Sequence, residues 1–340
     1  MPIPNRRTDL PVLLLHNLDP TWTETETREV VREVALLEAA MARVGHPVTS
    51  LPVSARRLGP LLRPFNPEEY VVFNICEALP GIPRSDVHVA RTLDRLGFVY
   101  TGSRASVLAL SWDKARSKRL LDRQRLPTPR WRVAETPDVE GWDCYPSIVK
   151  PAFEHSSFGV TNEAVVLCPA ELRRRVAYVL DTYHEPALVE DFIDGREFHV
   201  TLWGDGQVEI LPPAEMDFGA FEDVHDRLCT YDSKFSPGTP AYEKIQIRTP
   251  AALDEAALRE LERTALAVYR VFGCRDYARL DLRLRDGVFY VLDINPNAEI
   301  SSETSMTFAA EAAGYSYGDM ASTLVNLAAL RHPQFGASLQ

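Results

Sequence analysis

The sequence predicts a mixed α/β and α+β protein, and three observations carry that expectation. Short apolar runs at Pro11–Leu15, Pro47–Leu51, Tyr70–Ile75 and Phe98–Thr101 are separated by amphipathic segments, the pattern of a mainly parallel sheet. A smaller α/β unit follows, with strands expected at Ser147–Lys150, Val165–Leu167 and Leu188–Glu190 around a helix over Ala170–Leu180. Finally, Arg275–Asn297 (RDYARLDLRLRDGVFYVLDINPN) reads as two strands joined at Asp286-Gly287. That dipeptide suits the positive φ values of a tight hairpin turn.

Bulk properties narrow the class. A chain of 340 residues exceeds what one hydrophobic core usually serves, so two or three domains are expected. The net charge of −11 leaves no basic surplus for a nucleic-acid backbone, so no nucleic-acid partner is expected. No long uncharged apolar run suggests a membrane span, and MPIPNRRTDLPVLLL is too short in apolar residues for a secretory signal. Cys76, Cys144, Cys168, Cys229 and Cys274 are scattered, without zinc-type spacing or a disulfide framework, which fits a reducing cytoplasm.

The elements follow in order. In Glu24–Val44, apolar Val30, Val34, Leu37, Met41 and Val44 recur at helical steps and acids crowd the first turns, where the helix dipole favours them. Gly45 ends that helix. Ser85–Leu96 is expected to bury Val87, Ala90, Leu93 and Leu96. Asp113–Leu126 reads as a basic helix stopped by Pro127-Thr128-Pro129. Glu197–Trp203 and Gln207–Leu211 form an expected hairpin about Asp205-Gly206. Asp217–Pro250 is a long polar loop, and loops of that length are usually functional. Helices are expected over Leu253–Phe272, Ser302–Ala313 and Tyr317–Leu330.

The chemistry concentrates on the late hairpin. Asp281 lies in its first strand, and Asp293 and Asn295, two apart, share a face of its second. Oxygen ligands of this kind suit a hard divalent cation completed by water and phosphate. Lys150 closes a strand and precedes PAFEHSSFGV, whose small residues permit a loop over phosphates. It is not a Walker A loop, which requires GxxxxGK[ST].

Together, FNICEALPG (73–81), LGFVYTGS (96–103), WDKARSKRLLDRQRLPTPRW (112–131), IVKPAFEHSSFGV (148–160), LVEDFIDGREFHV (188–200), LPPAEMDF (211–218), YDSKF (231–235) and YARLDLRL…YVLDINPN (277–297) resemble the ATP-grasp enzymes. The closest likeness is to the D-alanine–D-alanine ligase family, by ordered motifs rather than any single one. The resemblance implies an N-terminal α/β substrate domain (1–105), a central ATP-grasp subdomain (106–187) and a C-terminal catalytic domain (188–340). ATP would lie between the last two. By motif, Lys114 and Lys150 should contact phosphates. Glu190, Phe192, Ile193 and Leu292 should hold adenine, and Glu197 the ribose. Lys234 should close over the γ-phosphate, and Ser156 matches a catalytic serine. Asp281, Asp293 and Asn295 should bind two Mg²⁺, with Mn²⁺ as an alternative, and Arg279 should stabilise an oxyanion. The family also implies amino-acid-like substrates and a homodimer.

The sequence departs from that pattern around the substrates. No clear equivalent exists of the family's first-substrate glutamate; Glu24 and Glu26 read better as helix N-terminal acids. Asn74-Ile75-Cys76-Glu77 replaces a histidine-glycine, and Glu77 is a candidate for a substrate ammonium. Phe235 replaces a tyrosine. Glu299 stands where a glycine commonly helps receive the second substrate's carboxylate, with Thr304 and Ser305 as nearby hydroxyl donors. The expected function is therefore an ATP-dependent carboxylate–amine ligase, a specialised dipeptide or modified-amino-acid ligase. The alternatives are a housekeeping D-alanine–D-alanine ligase, a kinase releasing a phosphorylated product, and a non-catalytic ATP-binding regulatory protein.

Overall fold

The computed structural model describes residues 6–154, 157–230, 233 and 238–339. Each expected pattern folds into its own sheet. The first is parallel, with strands β1 (Val12–Asn17), β2 (Val48–Val53), β3 (Val71–Ile75) and β4 (Val99–Tyr100) in the order β2-β1-β3-β4. The apolar runs at β1 and β3 are buried on both faces, as a helix-covered parallel sheet requires. The helix Glu24–Val44 packs on it. Thr23 and Glu26 form a reciprocal capping box, and Gly45 ends the helix with φ 114°. Glu26 is thereby occupied as a cap. In the helix Asp86–Leu96, Val87, Ala90 and Leu93 are buried as expected, but Leu96 at the last turn is exposed.

The second sheet has the order β5-β8-β6-β7: β5 (Trp131–Ala134), β6 (Ser147–Pro151), β7 (Val165–Val166) and β8 (Ala187–Asp191). Its neighbours are antiparallel. The helix Pro169–Tyr183 covers it through Leu172, Val176 and Val179. Because β8 pairs with both β5 and β6, this sheet reaches Asp191, past the boundary expected at 187.

The third sheet is antiparallel, in the order β12-β11-β9-β13-β14 with β10 beside β9. Its strands are β9 (Arg196–Asp205), β10 (Gln207–Ile210), β11 (Ala214–Asp217), β12 (Gln246–Arg248), β13 (Asp276–Arg285) and β14 (Val288–Asn295). Asp286 and Gly287 have φ 53° and 77°, the paired positive values of the expected two-residue turn. The helix Glu255–Phe272 buries Leu261, Ala265, Val268 and Phe272 against it. The helix Ala105–Trp112, directly before Lys114–Arg123, was not expected. Its segment ASVLALSW is apolar nearly all round and so carries no amphipathic period.

A polar clasp joins the first sheet to the hairpin. Asp276, wholly buried, accepts from Arg331 (2.6 and 2.8 Å) and from the Gly102 amide (2.9 Å). Asn297 Oδ1 accepts from the Ser103 amide at 2.8 Å. A Cβ on Gly102 would stand 2.4 Å from that oxygen, so the close approach requires glycine.

Candidate active site between the second and third sheets

The register of three strands builds the floor. On β9, β13 and β14, His199, Asp281 and Asp293 form one row, and Thr201, Arg279 and Asn295 the next. Side chains alternate along a strand, so Arg279, Asp281 and Arg283 share one face. A bulge after Asp281 shifts the pairing so that Leu282 faces Val291, which keeps Asp293 opposite Asp281.

Each acid on this floor has a counter-charge. Arg279 donates to both oxygens of Asp281 (Nε 2.7 Å, Nη2 3.0 Å), and Asn295 Nδ2 donates to Asp281 Oδ2 at 3.1 Å. Burial works against the Arg279 charge, but Asp281 holds its pKa above the usual value. Lys114, at the start of its helix, reaches Asp293 Oδ2 at 2.6 Å. The oxygen donors of Asp281, Asp293 and Asn295 fit Mg²⁺, which takes hard ligands and keeps several of its sites for water and phosphate.

The second sheet supplies the roof. Glu190, 1% exposed, lies 2.6 Å from Lys118 Nζ and 2.5 Å from Lys150 Nζ. Burial alone would raise its carboxyl, but the two lysines hold it down to about 2. Glu197 Oε2 accepts from Arg283 Nε at 2.7 Å, and its pKa is likewise depressed despite burial, chiefly by that guanidinium. Arg283 stacks over Phe192 at 4.6 Å and donates to the Ile193 carbonyl at 3.0 Å.

The structure thus brings Lys114, Lys150, Glu190, Phe192, Ile193, Glu197, Asp281, Leu292 and Asp293 to one cleft. Arg279 and Asn295 join it through Asp281. Glu77, in the loop after β3, and Glu299, just past β14, are both exposed, and the Glu299 carboxylate is close enough to raise the pKa of Glu77. Ser301 Oγ donates to Glu299 Oε1 at 2.6 Å. Thr304 is the N-cap of the helix Ser305–Ala312, and its hydroxyl donates to the Ser301 carbonyl at 3.1 Å. Ser305 Oγ lies 3.0 Å from His199 Nδ1. Ser156, Lys234 and Phe235 lie outside the described residues.

The sequence reading passed over Lys118, His199 and Arg283. Lys118 carried a usable signal: it follows Lys114 by four residues, so both fall on one helix face. Arg283 follows Asp281 by two on a strand. His199 had no such marker, because only the β9–β13 register places it beside Asp281.

Comparison with known proteins agrees with this architecture. The model of the D-alanine–D-alanine ligase C-terminus matches residues 124–326. A protein from Sinorhizobium fredii, y4sG, is 34% identical over 77% of this chain and 75% of its own length. The D-alanine–D-alanine ligase of Cupriavidus necator is 34% identical over 75% of this chain and 76% of its own. Among solved structures, D-alanine–D-alanine ligase from Bacillus anthracis complexed with ATP superposes with a TM-score of 0.71, at 19% identity, over 94% of this chain and 97% of its own. With a cleft roofed by one sheet and floored by another, and with these relatives, the chain belongs to the D-alanine–D-alanine ligase family and is an ATP-dependent carbon–nitrogen ligase of ATP-grasp fold.

Proposed function

We propose that this ligase joins two amino-acid-like substrates, at least one of which differs from D-alanine, in a specialised pathway. The observation that carries the reading is the pair Glu77 and Glu299 beside the catalytic floor. Two acidic side chains there, once ionised, oppose a substrate carboxylate and favour a cationic group.

The reaction proceeds in two steps. An oxygen of the first substrate's carboxylate attacks the γ-phosphorus of ATP, the bond to the β–γ bridging oxygen breaks, and ADP leaves with an acyl phosphate formed. The amine of the second substrate then attacks the carbonyl carbon. The resulting tetrahedral oxyanion collapses with loss of phosphate and of the amine proton. Such chemistry depends on positioning and charge neutralisation more than on covalent help from the protein. In this proposal Lys114 and Lys150 hold phosphates, and Glu190, Phe192, Ile193 and Leu292 receive adenine. Glu197 takes the ribose, and Lys234 covers the γ-phosphate. Asp281, Asp293 and Asn295 would hold Mg²⁺, which when bound neutralises phosphate charge. Arg279 faces the oxyanion, Ser156 supports it, and Ser305 offers a hydroxyl to the second substrate.

A panel of amino acids read by phosphate release tests the proposal. Turnover with mixed or basic amino acids is expected. Strong turnover with D-alanine alone, and none with any other pair, would establish the second reading, a housekeeping D-alanine–D-alanine ligase, which the names of the relatives favour. Retention of Asp281, Asp293, Asn295 and Arg279 argues against a purely regulatory ATP-binding role.

A further inference from the structure

One group of side chains in the cleft has a donor chemistry unlike the rest. Glu197, His199 and Cys229 each present one ligand atom, and these atoms all lie within 4.8 Å of one another. His199 Nε2 is 3.6 Å from Glu197 Oε1 and 3.7 Å from Asp281 Oδ1. We propose that Glu197, His199 and Cys229 form a site for a zinc-class transition-metal ion in the wall of the nucleotide cleft, and that this ion and the nucleotide exclude one another.

In a tetrahedral zinc site with ordinary bond lengths, nitrogen and oxygen ligands stand roughly 3.3–3.5 Å apart and sulfur slightly farther. The Glu197–His199 spacing already meets that within a few tenths of an ångström. Cys229 is half-buried and its sulfur already lies within 4.8 Å of both other ligand atoms, so a side-chain rotation would bring it to bonding distance.

The supporting contacts also fit. A ligating histidine usually has its second nitrogen engaged, which fixes the ring. His199 Nδ1 lies 3.0 Å from Ser305 Oγ, and in the tautomer whose Nδ1–H donates to that hydroxyl, Nε2 is left with the lone pair that a metal takes. Glu197 has one oxygen held by Arg283 and the other toward His199. The Cys229 carbonyl accepts from Ser157 Oγ at 2.8 Å, which anchors its loop. Arg279 lies close enough to Cys229 for the two to interact electrostatically. On binding, the thiol proton passes to solvent and the sulfur lone pair forms the metal bond.

The mixture of sulfur, nitrogen and oxygen selects against Mg²⁺ and for zinc-class ions, whereas the neighbouring Asp281, Asp293 and Asn295 offer oxygen alone. The two sites are thus chemically distinct though adjacent. All three residues Glu197, His199 and Cys229 line the cleft, so the ion has a route in from solvent. The mutual exclusion rests on the proposed role of Glu197 toward ribose; the ion site itself does not.

Cobalt(II) is the probe, because a thiolate–cobalt bond gives an intense near-ultraviolet charge-transfer band. Titration of the full-length, nucleotide-free protein with Co²⁺ should produce that band, saturating at one ion per chain, and Zn²⁺ should abolish it. Cys229→Ser should lose the band. His199→Asn, which keeps the sulfur, should weaken cobalt affinity tenfold or more. Circular dichroism confirms that both variants are folded. Saturating Mg²⁺ and ATP should suppress the band, and Zn²⁺ should weaken binding of a fluorescent ATP analogue. No band in the wild type, or a band that survives Cys229→Ser, overturns the site. A band unaffected by bound nucleotide overturns the exclusion. Failure of the protein to bind any nucleotide would instead count against the ligase reading, while the cobalt result stands by itself.

Discussion

Arg279 closes over both oxygens of Asp281, with Nε at 2.7 Å and Nη2 at 3.0 Å, two residues away on the same face of β13. A bidentate guanidinium–carboxylate pair fixes the orientation of both groups. It also holds a positive charge beside the acids proposed to carry Mg²⁺, where an oxyanion would need it. Arg279→Ala should lower kcat about 100–1000-fold, the usual loss when one oxyanion donor goes. Nucleotide affinity should change little, since no adenine or ribose contact depends on Arg279. Coupled ADP release and fluorescent-nucleotide binding separate the two; a wild-type rate would remove Arg279 from the chemistry.

Glu190 anchors a buried triad with Lys118 and Lys150. Its carboxyl is held near 2 in the folded protein against an ordinary value of 4.5. A depressed carboxyl pKa contributes stability above about pH 4.5 that is lost as pH falls toward 2. The difference corresponds to roughly 3 kcal/mol at neutral pH. Glu190→Gln leaves two buried ammonium groups without their partner and should cost about 3–5 kcal/mol. Urea denaturation at neutral pH measures that cost, and repetition at pH 5, 4 and 3 should show a flatter acid limb in the variant than in the wild type. A variant as stable as the wild type at neutral pH would mean that the lysines find other anions.

How much of this was legible in the sequence depended on whether the information was local. The hairpin β13–β14 was readable because Asp286-Gly287 and the alternating leucines encode turn and register together. The parallel sheet was readable from its apolar runs. The helix Ala105–Trp112 was not, because an all-round apolar segment has no periodicity to detect. The floor of the cleft was half legible. Asp281, Asp293 and Asn295 announce themselves by spacing. His199 enters only because β9, eighty residues upstream by order of magnitude, pairs residue for residue with β13. Long-range pairing of that kind leaves no trace in a local pattern. The same holds for Asp276 and Arg331, which meet across the fold.

The Gly102–Asn297 contact makes a local test of how the first sheet is fastened to the hairpin. Gly102 has φ 93°, and an added Cβ would meet Asn297 Oδ1 at 2.4 Å. Gly102→Ala therefore combines backbone strain with a clash two residues past the end of the hairpin's last strand. A loss of about 1–3 kcal/mol is expected from the backbone alone. KM for the amino-acid substrates should rise more than KM for ATP, since the disturbed loop lies on the Glu77 side of the cleft. Thermal unfolding and steady-state kinetics read the two effects; unchanged stability would show that the loop moves freely to accommodate the methyl group.

Glu77 offers the sharpest test of which substrate groups are accepted beside Glu77 and Glu299. Loss of hydration, then the carboxylates of Glu299 and Asp86, push its pKa up to about 7. Below pH 7 the Glu77 side chain is largely neutral, and above it largely charged. A substrate that brings an ammonium or guanidinium group to this pair should bind more tightly as pH rises through 7, by up to about tenfold per unit on the acid side. A substrate that brings a carboxylate should show the opposite slope. The folded protein pays for the raised pKa in the same window: stability falls as pH rises from about 4.5 to 7, and Glu77→Gln should remove that fall. The variant should also flatten the pH dependence of KM for a basic substrate while leaving KM for ATP unchanged. Glu299→Gly, which clears the opposing carboxylate, should instead raise turnover with D-alanine as the second substrate. If KM for basic amino acids is flat from pH 6 to 8 in the wild type, and Glu299→Gly gains nothing with D-alanine, these two acids do not face the substrate.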